Sequence, residues 1–190
     1  MSDLSGGGDR IVELEHEKEK AFQQLKVLAS ELSNRRKLAA KKLSELVTIE
    51  IKNLSMPNAQ FIIDQKTLDS SNPNNYASYG LDEISILFSA HSGATPLPLN
   101  KVASGGELSR VMLALEVVIA EAEPIGTYIF DEVDAGVGGK AAVEIGRRLA
   151  KLAKSAQVIV ITHLPQVAVW ADNHLDRKST RLNSSHVSES

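Results

Sequence analysis

A serine, two glycines and a glutamate stand together at residues 103–110, in the segment ASGGELSR. Gly105 and Gly106 carry no side chains, so the backbone there can approach a ligand closely. A helical apolar pattern begins at this point, and the free N–H groups of a helix N-terminus attract anions. With the hydroxyl of Ser104 and the helix start at Glu107, the segment has the groups needed to hold a phosphate. A Gly-Gly turn followed by a simple helix cap explains the same residues without a ligand.

Two adjacent carboxylates follow the apolar run TYIF at residues 127–130, and a histidine ends a second apolar run. In nucleotide hydrolases, a strand of this kind carries an Asp toward Mg²⁺ and a Glu toward the attacking water. Asp131 and Glu132 are the candidates for these two roles. Asp134 follows in the next turn, and His163 lies where ligand sites open in parallel sheets. Asp-Glu pairs are also common in ordinary turns, and a single histidine at a strand end is often structural.

A long helix is predicted ahead of these residues. Apolar residues recur with an alternating 3-4 spacing from Ile11 to Ile49, and no Gly or Pro interrupts residues 11–54. This narrow seam predicts a coiled-coil helix over residues 10–55, with an amphipathic surface helix as the alternative. The small, polar residues 1–9 predict a flexible lead-in. The seam positions are Ile11, Leu14, Lys18, Ala21, Leu25, Leu28, Leu32, Arg35, Ala39, Lys42, Leu46 and Ile49.

Strands and helices alternate in the pattern that follows Pro57, which ends the first helix. The predicted strands are residues 61–63, 83–89, 127–130 and 158–161, and the predicted helices are residues 107–121 and 141–153. The last two strands are apolar and flank an Ala-rich helix, which predicts a buried parallel βαβ unit. The predicted fold class is therefore α/β, with a parallel-sheet core preceded by the long helix.

Composition excludes several classes of protein. The chain has 190 residues, no cysteine and a formal net charge of −3. A disulfide framework and a cysteine zinc site are therefore excluded, and no global positive charge marks a nucleic-acid binder. No apolar run reaches the length of a membrane span, so we expect a cytoplasmic protein. The serine-rich residues 176–190 predict a disordered tail.

These features occur in the same order as in ABC ATPases. The amino-acid sequences of the segments resemble those of the RecN family of SMC-like ABC ATPases. The segments that carry the resemblance are KVASGGELSRVMLALEVV, IFDEVDAGVGGKAAVEIGRRL and VIVITHLPQVAVWAD. The resemblance extends over residues 11–175 and implies that residues 56–175 form the C-terminal part of an ABC ATPase head. It also implies a role in DNA double-strand break repair and recombination.

The resemblance further implies a role for each candidate residue. Ser104, Gly105 and Gly106, with the helix start at Glu107, would contact the γ-phosphate of ATP held by the opposite head of a dimer. This would make the nucleotide site a composite of two heads.

The same resemblance assigns the carboxylates and the histidine. Asp131 would bind Mg²⁺, and Glu132 would orient and deprotonate the hydrolytic water. Asp134 would communicate across the dimer, and His163 would contact the γ-phosphate.

Two departures from the family pattern stand out. The phosphate loop G-x-x-x-x-G-K-[ST] is absent, since Ala141 follows Gly139-Lys140 where a hydroxyl residue is required. We therefore expect the N-terminal half of the head to be missing from this chain, which would be inactive alone. The polar residues 176–190 replace the strand and helix expected after Leu175, and we interpret them as non-native.

The partners implied by the resemblance are a second head in a homodimer, DNA as ends or single strands, and the missing half of the head. No membrane partner is implied, and the location would be the bacterial nucleoid. Two other classes of function remain as alternatives: a coiled-coil interaction module without ATP chemistry, and the nucleotide-binding subunit of an ABC transporter. The Ser-Gly-Gly-Glu and Asp-Glu residues argue against the first, and the coiled coil argues against the second.

Overall fold

The computed structural model describes residues 4–101, 105–120 and 126–175, with side chains from Gly8 onward. The chain begins with one helix, α1, from Leu4 to Asn53, which is roughly 75 Å long at 1.5 Å per residue. α1 thus includes most of residues 1–9, the segment predicted as a flexible lead-in. Each residue added to an existing helix gains a backbone hydrogen bond, and α1 therefore continues through three successive glycines. Among the described residues, no helix has the length and apolar character needed to cross a membrane.

Three antiparallel strands follow α1, and the first of them packs against it. They are β1 (Gln60–Thr67), β2 (Asp82–Ser89) and β3 (Leu97–Pro98), in the order β1-β2-β3. The β1–β2 register runs from Gln60 opposite Ser89 to Thr67 opposite Asp82. β1 is longer than predicted because its polar second half, which carries no apolar signal, pairs fully with β2.

The second half of the described chain is a βαβ unit preceded by a helix. Its elements are α2 (Gly105–Ile119), β4 (Thr127–Phe130), α3 (Gly139–Leu152), β5 (Gln157–Val160) and the short α4 (Pro165–Ala168). β4 and β5 pair in parallel, which confirms the predicted parallel connection.

The two parallel strands are covered on one face only. Tyr128 and Phe130 of β4 are buried in the core, whereas Ile129 between them is 68% exposed. Ile159 and Ile161, on and just after β5, are also exposed, at 43% and 58%. The prediction that both strands are fully buried is therefore wrong, because only two strands form this sheet among the described residues and no described element covers the isoleucine face.

One hydrophobic core joins the two sheets to the C-terminal end of α1. Val47 and Ile51 of α1 and Leu54 just after it are fully buried in it. An ion pair also links Arg148 Nε of α3 to Glu50 Oε2 of α1 at 3.0 Å, and both side chains are largely buried. The other buried members of the core are Met56, Ala59, Phe61, Phe88, Val111, Leu113, Ala114, Val117, Ala120, Tyr128, Phe130, Val133, Ala142, Ile145, Leu149, Leu152 and Val167.

The face of α1 that packs on β1 is not the predicted seam. Ala29, Ser33, Val47 and Ile51 are its buried residues. The apolar residues of the seam are exposed, from 37% to 63%: Ile11, Leu14, Leu25, Leu28, Leu32, Leu46 and Ile49. Pairing of this seam with a second helix stays a prediction, since the described residues leave it uncovered.

A buried carboxylate, Asp82, ties α1 to the first sheet. It accepts hydrogen bonds from Ser33 Oγ at 2.8 Å, Thr67 Oγ1 at 2.7 Å, Gln65 Nε2 at 3.0 Å and Arg36 Nη1 at 3.2 Å. Burial by itself would raise the pKa of Asp82, but the hydrogen bonds outweigh it and lower the pKa to about 2. The carboxylate is therefore held in its charged form.

The lowered pKa makes stability depend on pH. Because the folded pKa is below the unfolded value of 3.8, Asp82 stabilises the fold above about pH 4, and this contribution is lost as pH falls toward 2. We expect Asp82→Asn to reduce the free energy of unfolding at pH 7 by about 1–3 kcal/mol. It should also flatten the fall in stability between about pH 4 and pH 2.

Urea unfolding of both proteins across this pH range measures the effect. Glu83→Gln is the matched control, because Glu83 is the next residue and its ion pair with Lys66 is exposed. The control should change stability by less than about 0.5 kcal/mol. Equal pH profiles for the wild-type and Asp82→Asn proteins would contradict the assignment.

Candidate functional site

The residues after β4 form a tight turn at the carboxyl end of the parallel sheet, residues 131–136, which we call the carboxylate turn. The Ala135 N–H donates to the Glu132 carbonyl at 3.0 Å and closes the turn. Glu132 itself has a φ of 56°, in the left-handed region. A non-glycine residue held in that conformation costs about 1–3 kcal/mol, and such residues concentrate at functional sites.

The first turn of α2 lies directly against the carboxylate turn. A Cβ atom added at Gly106 would lie 3.0 Å from Ala135 Cβ and 3.2 Å from the Glu132 carbonyl oxygen. A Cβ at Gly105 would lie 2.7 Å from Glu132 Oε2. The two glycines therefore permit a close approach between two parts of the chain. The N-terminus of α2 and the carboxylate of Glu132 meet as a result.

Two polar side chains of α2 fix this contact. Ser109 Oγ donates to the Asp131 carbonyl at 2.8 Å, and Arg110 Nη1 donates to the Ala135 carbonyl at 2.9 Å. Arg110 is buried, which lowers the pKa of its guanidinium against the opposing effect of the Glu107 carboxylate. Both donors hold main-chain carbonyls of the carboxylate turn, so they set its backbone without using its carboxylates.

The end of β5 joins the turn from the other side. The Ile161 N–H donates to the Phe130 carbonyl at 3.0 Å, so the parallel ladder continues to the last residue before Asp131. Thr162 Oγ1 donates to Asp134 Oδ2, and His163 Nδ1 lies 3.8 Å from the same oxygen. The His163 side chain is 75% exposed, whereas that of Asp134 is buried.

Most of the predicted site residues are thus close to one another. Gly105 and Gly106 meet Glu132, while His163 meets Asp134. Ser104 lies outside the described residues. Sequence reasoning left three residues without a role: Ser109, Arg110 and Thr162. They supply the hydrogen bonds that assemble the site. The available signal was a serine or arginine at helical spacing after the glycines.

The side chain of Asp134 is 2% exposed and accepts a hydrogen bond from Thr162 of its own chain. Its carboxylate therefore holds two segments of this chain together. Its predicted role across a dimer of heads stays a prediction.

The chemistry of Asp131 fits Mg²⁺ in one specific way. Asp131 is exposed at the end of β4, and no cluster of three His, Cys, Asp or Glu residues exists in the part of the chain that the structure describes. Mg²⁺ commonly uses one or two carboxylates together with substrate phosphates and water. Asp131 suits a Mg²⁺ ion that is also held by substrate phosphates and water. The described residues do not suit a Mg²⁺ ion held by protein ligands alone.

A family model described as the RecF/RecN/SMC N terminal domain matches residues 9–184. The match extends over most of the chain, which therefore belongs to this SMC-like family. It includes the first part of residues 176–190, the segment interpreted above as non-native.

Among curated relatives, the DNA repair protein RecN of Streptomyces coelicolor is 53% identical over 159 residues, which are 78% of this chain and 27% of the relative. The DNA repair protein RecN of Mycobacterium leprae is 48% identical over 195 residues, 95% of this chain and 32% of the relative. The chain thus spans about a third of the length of these relatives.

A solved Smc head domain with a coiled coil and joint, from Pyrococcus yayanosii, has a TM-score of 0.58 to this chain. The likeness covers 87% of this chain and 30% of that one at 22% sequence identity. At this identity the likeness shows the fold alone, which is that of an Smc head domain.

The close approach at Gly106 leads to a prediction. We expect Gly106→Ala to lower the free energy of unfolding by about 1–3 kcal/mol, because the new methyl group would crowd Ala135 and push the carboxylate turn away. This loss exceeds the gain of up to about 1 kcal/mol that alanine normally brings to a helix. Chemical denaturation of the wild-type and Gly106→Ala chains measures the change in the free energy of unfolding.

Gly126→Ala is the control, since Gly126 lies outside the helices, its φ is not in the left-handed region and no atom lies within 4 Å of an added Cβ. It should stay within about 0.5 kcal/mol of the wild-type chain. A Gly106→Ala chain as stable as this control would show that the contact is loose.

Proposed function

We propose that this chain is the C-terminal portion of the ATPase head of a RecN-type DNA repair protein, and that the complete protein binds and hydrolyses ATP between two heads. The observation that carries the proposal is the carboxylate turn, where the N-terminus of α2, Glu132 and the end of β5 meet. These are the elements that the family resemblance assigns to nucleotide contact. Membership of the SMC-like family supports the ATPase class.

Each group has chemistry that suits its proposed role. Asp131 would hold Mg²⁺, which supplies charge neutralisation for the phosphates when bound. Glu132 would accept a proton from the attacking water, since its carboxylate is exposed and its backbone is fixed by the turn. His163, also exposed, would donate a hydrogen bond to the γ-phosphate.

The N-terminus of α2 would act on a second nucleotide. Its free N–H groups, with Ser104, Gly105 and Gly106, would bind the γ-phosphate of ATP held by the opposite head. Glu107 lies in the first turn of this helix and is partly buried near Arg110, so its role would be to support the helix start.

Uncovered apolar surface supports the proposed partners. The exposed isoleucines of β4 and β5 suit the missing half of the head, which would extend the sheet and cover this face. The exposed seam of α1 suits a second helix in a coiled coil. DNA and the homodimer are further partners that the proposal includes for the complete bacterial protein.

A coiled-coil interaction module is the second candidate, and the exposed seam of α1 favours it specifically. The two proposals differ in what they require of Glu132, since a module without ATP chemistry has no use for an exposed carboxylate in a left-handed conformation.

The chain by itself should show no ATPase activity. The phosphate loop supplies most of the affinity for nucleotide through its backbone N–H groups and lysine, and this sequence contains no such loop. Steady-state phosphate release with Mg-ATP measures the activity. Turnover that disappears in the Glu132→Gln variant would contradict the prediction, because a contaminating enzyme would not respond to that change.

In the completed protein, meaning this chain joined to the missing half of the head, two substitutions should fail differently. Glu132→Gln should stop hydrolysis but permit ATP binding, so that ATP traps dimers of heads. Ser104→Arg should prevent those dimers, because a bulky cation would occupy the position of the γ-phosphate. Each head would still load ATP on its own.

Size-exclusion chromatography with light scattering, with and without ATP, distinguishes the two variants. The composite site would be refuted by a Ser104→Arg protein that dimerises with ATP as well as the Glu132→Gln protein does.

A further inference from the structure

Thr162 uses its hydroxyl group twice at the end of β5. The hydroxyl donates to Asp134 Oδ2 in the carboxylate turn and accepts from the Leu164 N–H at 3.0 Å. Thr162 and Leu164 are the residues immediately before and after His163. One hydroxyl therefore fixes the backbone that carries His163 and attaches it to the turn that carries Glu132.

Asp134 is the buried partner in this connection. Its side chain is 2% exposed, whereas the His163 side chain beside it is 75% exposed. A buried carboxylate that loses a hydrogen-bond donor keeps its desolvation penalty without compensation. The turn and the end of β5 are thus held together strongly, even though the residues they present to solvent are free to contact a ligand.

We propose that Thr162 and Asp134 are positioning residues, which set His163 relative to Glu132 for ATP hydrolysis. This inference rests on the proposed function. It gives Thr162 a positioning role that the sequence did not indicate. It also gives Asp134 a positioning role within a single head. Neither residue would touch the nucleotide, and both would act through His163.

The arrangement explains why a threonine suits this position. The hydroxyl must donate to a carboxylate and accept from an N–H group at once, and threonine and serine have both capacities. Valine has the same shape without either capacity. Thr162→Val therefore removes the connection while changing the packing little.

A double-mutant cycle in the completed protein tests the inference. Thr162→Val should lower kcat by about 10- to 100-fold with little change in KM, because His163 would be misplaced while nucleotide binding is retained. In a His163→Ala background the same substitution should lower the single-turnover rate by less than about 2-fold, since the residue through which it acts is gone. Thr162→Ser should restore kcat to near the wild-type value.

Thr127→Val is the matched control. Thr127 begins β4 at the opposite end of the same two strands, and its hydroxyl bonds to Gln157 at 3.0 Å. Its removal should leave kcat unchanged. A loss of kcat in the Thr162→Val protein that is fully additive with that of His163→Ala would overturn the inference, as would a failure of Thr162→Ser to restore activity.

Failure of the proposed function and failure of the inference give different results. Should Glu132→Gln fail to stop turnover, the proposed function is wrong; should it stop turnover while Thr162→Val has no effect, only the inference is wrong. If Thr162→Val does not fold, Asp134→Asn replaces it in the cycle. Its loss of kcat must then also be non-additive with His163→Ala, and an additive loss overturns the inference.

Discussion

The close approach between the first turn of α2 and the carboxylate turn is the contact on which the site depends. Gly106 and Ala135 come so near that an added methyl group would crowd the turn. At that distance Ser109 and Arg110 reach main-chain carbonyls of the turn. Arg110 is buried there, and its Nε atom has no hydrogen-bond partner among the described residues. Moving α2 away would leave the remaining buried guanidinium donor unpaired as well, which is costly.

The sequence predicted the elements that have a strong local pattern and missed the contacts made across long separations. The parallel connection between β4 and β5 was predictable because apolar β-branched runs flank a helical run. The Ser33–Asp82 bond joins residues 49 positions apart, and no local pattern marks it. For α1, apolar spacing identified the exposed seam, whereas small and polar residues such as Ala29 and Ser33 form the face that packs. A serine such as Ser33 carries no apolar signal, so apolar spacing did not mark this face.

Two apolar surfaces remain open for a common reason. The isoleucine face of β4 and β5 and the seam of α1 both expose large apolar side chains, and neither is covered by the described residues. Burial is a property of the whole assembly, so a sequence pattern that correctly reports an apolar face does not report which molecule covers it. The chain spans about a third of the length of its curated relatives, which agrees with surfaces that are complete only in a larger protein.

Because α1 is long, a movement of its packed C-terminal part displaces its N-terminal end. Core packing at Val47 and Ile51, the Arg148 ion pair and the Asp82 hydrogen bonds make the base of the helix part of the same body as the carboxylate turn. Residues 4–21 of α1, about 27 Å of helix, precede its contact with Tyr76 and extend from that body as a lever arm. A rotation of about 5° at the base of this arm would carry its far end through roughly 2 Å. A small rotation at the base would therefore produce a larger displacement at the N-terminal end of the helix.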